Sequence, residues 1–304
     1  MRNKIIFFNF LSLLSISFIS QLSWAADAWN IDGDYHYTQS AYSDNTLKEK
    51  STGQGFNLNA SYLEQFEFAL SAEKKQIHYR DGFADIGQNE FSLSGNYHSY
   101  PDFLAGRLTL TADAMSIRND DNVGITDELA VLAPSLSYLT FDKKYYVDIG
   151  YAHSDYPSDL QVQQWTNTYG MAFSQGYDWL QGKFYFIAPD SSAENALLPE
   201  VQYANTEAVE FLWRHWTKED NLLHINNFFV TALIGERIFA VDTVAHSAFN
   251  LTDVQTSAYK LSAEWLFENS LKLTFLTGVA EFETAVDQSD YTEKFIYLNL
   301  NKQW

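Results

Sequence analysis

The strongest constraint on this chain is a two-residue period in its apolar side chains, repeated at strand length from residue 29 to the C-terminus. In WNIDGDYHYT (29–38), Trp29, Ile31, Gly33, Tyr35 and Tyr37 share one parity. Asn30, Asp32, Asp34, His36 and Thr38 share the other. A strand points successive side chains to opposite faces, so one face is apolar and the other carries two carboxylates and an imidazole. The pattern returns in Phe56-Leu58-Ala60-Tyr62, Phe66-Phe68-Leu70-Ala72, Phe91-Leu93-Gly95-Tyr97 and Leu108-Leu110-Ala112-Ala114. It returns again in Tyr145-Val147-Ile149-Tyr151, Phe184-Phe186, Tyr259-Leu261-Ala263-Trp265-Phe267 and Leu271-Leu273-Phe275. Few windows place apolar residues at helical spacing, and the β-branched and aromatic content favours strands.

The apolar face needs an apolar medium. Residues 1–25 read as a secretory leader: Arg2 and Lys4 precede an apolar run, and Ser23 and Ala25 stand before the expected cut. An exported chain of residues 26–304 is therefore expected. It has no cysteine, so disulfide and thiolate chemistry are excluded. The net charge, −20 for the full chain, argues against a nucleic-acid partner. No window after residue 25 has the ~20 consecutive apolar residues of a membrane helix. Aromatic residues nevertheless make up 16% of the chain, more than an ordinary soluble surface needs. Export, acidity, aromatic richness and alternation together predict an all-β fold, a transmembrane antiparallel up-and-down β-barrel.

The connections give the strand number. Tight turns are expected near 63–65, 100–102, 142–144, 176–178, 218–220 and 268–270. Longer polar stretches fall at about 39–52, 74–88, 118–128, 154–163, 189–205, 235–255 and 283–292. Short and long connections alternate, and six turns with seven loops require fourteen strands. Sixteen and twelve are the alternatives. Pro134 interrupts one strand, and 221–234 is apolar on both parities. Segment 235–255 carries Ile238, Phe239, Val241 and Val244, which do not suit a free external loop. Either it folds into the barrel mouth or it hides another hairpin.

The chain ends FIYLNLNKQW, with Ile296, Leu298, Leu300 and Trp304 on one face. This resembles the terminal strand of Gram-negative outer-membrane β-barrel proteins, with Lys302 where an aromatic is usual. In length and strand count the chain is similar to monomeric porins of the outer-membrane porin G type. The resemblance implies the bacterial outer membrane as location, with its lipid and lipopolysaccharide as surroundings. It also implies delivery by the barrel-assembly machinery, which would read Ile296, Leu298, Leu300 and Trp304.

In such a barrel the polar parity faces the lumen. The expected lumen-lining set is Asp32, Asp34, His36, Glu67, Arg107, Asp113, Asp148, Lys183, Arg214, Lys260, Glu264 and Lys272. Asp32, Asp34 and His36 are read as part of a wet wall. A metal site would need a neighbouring strand's help, since same-face neighbours on a strand lie roughly 6.5–7 Å apart. No cofactor is called for, because phosphate-loop, zinc-protease and calcium-loop signatures are all absent. The acidic loop clusters Asp120-Asp121 and Asp287 to Asp290 read as solvated charge.

The pairs His98-Ser99, His153-Ser154 and His246-Ser247 are adjacent, so on a strand they point apart and cannot form a hydrolytic pair. Asp32-x-Asp34-x-His36 alone does not make an outer-membrane protease. Trp29, Tyr62, Phe66, Tyr97, Phe103, Tyr145, Trp179, Trp265 and Trp304 read as an interfacial girdle. Tyr146, Trp179 and Tyr185 are the inward candidates for stacking on a sugar. The leading expectation is a non-enzymatic, passive channel for small hydrophilic solutes with a weak cation preference. The alternative is an export or assembly barrel for polysaccharide or surface protein, working with a periplasmic partner. An outer-membrane hydrolase ranks below both.

Overall fold

The computed structural model describes residues 28–304, apart from 46, 81–82, 121–127, 158–159, 191–203, 219–223, 244–246, 249–252 and 285–288. The expected leader, Asp121, Asp287 and His246 thus lie outside the described residues. Fourteen antiparallel strands form a closed barrel in which each neighbours the next along the chain and the last pairs with the first. They are β1 (Trp29–Ser43), β2 (Lys48–Tyr62), β3 (Phe66–Tyr79), β4 (Ile86–Ser99), β5 (Gly106–Asn119), β6 (Glu128–Thr140) and β7 (Tyr145–Asp155). Then follow β8 (Gln161–Phe173), β9 (Asp178–Pro189), β10 (Thr206–Trp216) and β11 (Ile225–Arg237). A two-residue hairpin, β12 (Val241–Asp242) with β13 (Ser247–Ala248), stands apart from the wall. The wall resumes with β14 (Val254–Phe267), β15 (Leu271–Glu283) and β16 (Asp290–Gln303).

The start of β1, the end of β16 and six connections mark one end of the barrel, the turn end, and seven connections mark the other, the loop end. The outer surface is an apolar belt. Tyr35, Phe56, Leu58, Phe68, Leu93, Leu110, Leu136, Ile149, Phe184, Phe211, Leu261 and Leu298 are all exposed on it. A closed antiparallel barrel with an exposed apolar belt is the build of a transmembrane β-barrel.

Strand limits depart from the sequence reading at the loop end. Residues 39–43 and 48–52, expected as loop, are strand, and the connection there is only 44–47. In these segments Ser40 and Ser51 are inward and buried while Lys48, Glu49 and Lys50 lie beyond the apolar belt, so apolar alternation fades although the ladder continues. Loops are consequently not uniformly longer than turns: the connection 217–224 at the turn end has eight residues. Pro134 lies inside β6. It keeps its place opposite Ala112 of β5, while the ladder to β7 skips residues 133 and 134. A proline cannot donate, so one side of the ladder is interrupted there.

Segment 235–255 both folds inward and forms a hairpin, but the hairpin adds nothing to the wall. Gly235 sets the departure. Its φ is +105°, and the register with β14 shifts between Ile234 and Arg237. A Cβ at Gly235 would sit 2.5 Å from the Glu207 carbonyl oxygen, so only glycine fits this bulge. Ile238, Phe239, Ala240 and Val241 then pack on the inner faces of β5–β9, against Met115, Ile117, Leu129, Val131, Val162 and Ile187. Phe239 meets Tyr156 of the β7–β8 connection, ring centroids 5.0 Å apart. Burying each large apolar side chain contributes roughly 1.5–3 kcal/mol before ordering costs. A second apolar cluster lines the opposite wall, formed by Tyr42, Tyr185, Leu233, Phe282 and Tyr291 with three alanines. Toward the turn end the inward faces carry mostly polar side chains. Nearer the loop end the inward faces are largely apolar and packed.

A candidate channel site inside the barrel

The site grows from the closing seam. Asp32 Oδ1 accepts from Asn59 Nδ2 on β2 at 2.9 Å and from Asn301 Nδ2 on β16 at 3.0 Å. Asp34 Oδ1 accepts from Asn57 Nδ2 at 2.8 Å and from Asn299 Nδ2 at 2.7 Å. Each carboxylate is thus gripped from both sides by amides. His36 stands next along β1. Its Nε2 lies 3.4 Å from Glu73 Oε2 on β3, and its Nδ1 lies 3.8 Å from Asp34 Oδ1. It reaches Glu73 by crossing β2 at Gly55, where a Cβ would come within 2.6 Å of the imidazole. Its other side stacks on Tyr297, centroids 5.6 Å apart. Among the described residues no group of three or more His, Cys, Asp or Glu is placed to hold a metal. These three residues are bound into the wall by amides, a carboxylate and a ring.

The remaining polar candidates are held mainly by lateral pairs along the wall. Glu67 Oε1 lies 3.0 Å from His98 Nε2, and His98 Nδ1 is 2.8 Å from Thr109 Oγ1. Lys260 lies 4.0 Å from Glu210, and Lys272 lies 3.7 Å from Glu264. Glu264 also accepts from Asn226 and Asn227. Lys183 lies 3.7 Å from Asp242 and thereby ties β9 to the infolded hairpin. Arg107 shares the inward parity of β5 with Thr109 and Asp113. The lysines thus find their acidic partners nearby, not across the lumen. Gln164 of β8 grips the hairpin again: its Nε2 donates to the Val241 carbonyl at 2.7 Å, and its Oε1 accepts from the Val241 N–H at 2.9 Å.

Between the hairpin and the turn end lies a cavity of about 860 Å³. Asp113, Asp148, Lys183 and Arg214 line it, Thr243 of the infolded segment bounds it, and Asp142 and Lys143 stand at the turn-end mouth. The Thr140 hydroxyl donates to Asp142 at 2.6 Å and the Lys144 N–H donates at 3.1 Å. These bonds favour the ionised form, the threonine most, and hold the Asp142 carboxyl below its ordinary value. Three aromatic rings also line the cavity: Tyr146, Trp179 and Trp216. Trp179 thus faces inward and is not part of the outer girdle. Tyr185 faces inward too, but lies buried beneath Lys183 and Arg237, whose cationic groups stand 5.0 and 5.4 Å from its ring. Trp216, which the parity of β10 carries inward, was absent from the sequence-derived set, because a lone terminal tryptophan gives no alternation signal.

On the outer face of β16, Ile296, Leu298 and Leu300 are exposed in a row. Trp304 donates its backbone N–H to the Ile31 carbonyl at 3.0 Å. Its ring covers Gly33, where a Cβ would lie 3.2 Å from it.

No protein-family model matches the sequence, and no curated protein matches it. Solved structures do. A bacterial polysaccharide outer-membrane secretin superposes with a TM-score of 0.53 at 8% identity, over 90% of this chain and 98% of that chain. OccK7 (OpdD) of Pseudomonas aeruginosa gives a TM-score of 0.44 at 10% identity, over 91% of this chain and 98% of that one. OprD of the same organism gives 0.42 at 9% identity, over 90% and 95%. At such identities the likeness to the secretin is one of fold alone, that of a large closed antiparallel β-barrel.

Proposed function

We propose that this protein is a narrow, passive outer-membrane channel for small hydrophilic solutes, with the turn end in the periplasm and segment 238–248 as its constriction. The observation that carries the reading is the cavity itself. It is lined by both signs of charge, reaches Asp142 and Lys143 at the turn end, and is bounded toward the loop end by a segment pinned from inside. Fourteen strands enclose more space than their own inward side chains fill, and larger barrels become channels. Carboxylates near the path favour cations. Asp113 and Asp148 stand against Lys183 and Arg214 on the cavity wall, and the chain's net charge is −20, so a weak cation preference follows. The natural surroundings are outer-membrane lipid and lipopolysaccharide, reached through the barrel-assembly machinery and the apolar row ending in Trp304.

Planar-bilayer recording of the refolded barrel under a salt gradient tests this. Small ohmic steps with a cation-leaning reversal potential are expected. A folded barrel without conductance would sink the channel reading. Lys183→Gln with Arg214→Gln should move the reversal potential further toward cations; an unchanged potential would remove both residues from the path.

A second reading is favoured by the reach of the cavity to the turn end and its three aromatic rings: loading from the periplasm for export. The fold likeness to a polysaccharide secretin is compatible with it. Conductance that appears only with a periplasmic partner present would select this second reading.

A further inference from the structure

Trp179 is positioned with more care than a wall residue needs. It is the second residue of β9, and the neighbouring strand β8 carries Gly170 beneath it. The six-membered ring of the indole rests where a Gly170 Cβ would be, so any other residue there would displace the ring. The indole N–H donates to Gln181 Oε1 at 3.2 Å, which fixes the ring's rotation. Tyr146 of β7 stands 6.5 Å away, centroid to centroid, at 57°. Tyr146, Gly170 and Gln181 lie directly opposite one another across β7, β8 and β9, and Asp148, Thr168 and Lys183 form the next row of the same face. Lys183 is occupied by Asp242. The result is an oriented aromatic surface at the bottom of a hydroxyl- and amide-bearing cavity.

We propose that this turn-end cavity is a saccharide-binding site, with Trp179 as the stacking platform, Tyr146 as its side wall, and Gln181, Thr168 and Asp148 as partners for sugar hydroxyls. The inference rests on the channel reading for how a solute arrives, and on the cavity alone for binding. A pyranose ring presents a face of axial C–H groups that suits an indole, with hydroxyls around its rim. The rim meets neutral or acceptor groups on the next row, so no uncompensated charge is brought in. A nucleotide would also stack, but it would bring phosphates to a chain of net charge −20. The volume of about 860 Å³ lies in the range of small-ligand sites, roughly 300–1,000 Å³, and admits a short oligosaccharide.

The probe is maltotriose, added to the refolded full barrel in two measurements. In bilayers it should interrupt the open current in brief, concentration-dependent events. In detergent it should change the tryptophan emission saturably. Trp179→Ala should weaken both by about tenfold, one lost stacking contact, while Trp179→Phe keeps most of the current block. Gly170→Val retains every tryptophan but moves the ring, and should weaken binding similarly. Folding of each variant is checked by heat-modified gel migration.

Maltotriose without effect on either readout in the wild-type barrel would overturn the proposal. So would an equal block by polyethylene glycol of the same size, which would mean volume exclusion. Saturable binding of free tryptophan or adenosine monophosphate in place of the sugar would also overturn it. Conductance in the absence of sugar is read separately. Saturable sugar binding by a barrel that does not conduct would retain the site and remove the channel.

Discussion

At the scale of single residues, the polar ladder of the seam and the turn beside Asp142 make the sharpest claims. Truncating Asp34 leaves the Asn57 and Asn299 amides without their shared acceptor. An orphaned buried polar group costs about 1–3 kcal/mol, so Asp34→Ala should lower the unfolding free energy read from a urea titration of the refolded barrel by that order. A Gly33→Leu change should displace Trp304 and leave the lumen untouched; slower assembly with unchanged conductance is the expected result. Asp142 sets a pH dependence. Its carboxyl is held low in the folded turn, so its contribution is complete above the unfolded value near ~3.9 and disappears as pH falls through the folded one. Wild type and Asp142→Ala should therefore differ in melting midpoint at pH 7, and the difference should shrink as pH falls below the ordinary aspartate range. A difference that does not shrink with acidification would mean the aspartate acts otherwise.

At the scale of elements, parity found most of the strands, but 129–141 with Pro134 and 221–234, apolar on both parities, gave no clean alternation, and 39–43 and 48–52 read as loop. Asp32 and Asp34 face inward and Tyr35 faces out because neighbours alternate. What parity cannot show is what an inward apolar residue packs against. Met115, Ile117 and Val131 look like further apolar positions until a second element is laid on them. That element was half visible in Ile238, Phe239 and Val241, too apolar for a free loop, but its target was not. Trp179 was ambiguous for a related reason: a tryptophan near a turn suits either face, and only Gly170 on the adjacent strand decides which.

The infolded element also makes its own prediction. Gln164→Ala removes both hydrogen bonds to Val241, and Gly235→Val removes the bulge that turns the chain inward. Each should loosen the constriction, giving larger and noisier single-channel currents with little change in barrel content by circular dichroism. Unchanged conductance in both would place the constriction elsewhere.

At the scale of the whole molecule, the barrel is asymmetric along its axis. Packed apolar side chains and the hairpin occupy the loop-end half, and the cavity occupies the turn-end half. In the proposed channel a solute would meet an aromatic-lined vestibule from the turn end and a tight pass from the loop end. Conductance should therefore be small for a barrel of fourteen strands, and uncharged polymers should partition more readily from the turn end than from the loop end. Polymer exclusion measured separately from the two sides of the bilayer checks this, and equal access from both would contradict it.

The seam between β1 and β16 bears on how such a barrel comes into being. Asp34 meets Asn299 across 265 residues of sequence, and Asp32 meets Asn301 across 269. Contacts so distant along the chain are the slowest to form. Until the last strand is in place, both open edges expose unpaired backbone to any passing strand. The two aspartates act as a registration lock for that final step. A slip of one residue would turn their whole face toward lipid, and a slip of two that carries Asp34 onto Tyr297 would leave that carboxylate without its β16 amide. The nascent barrel can then distinguish correct closure from near-misses by its own chemistry.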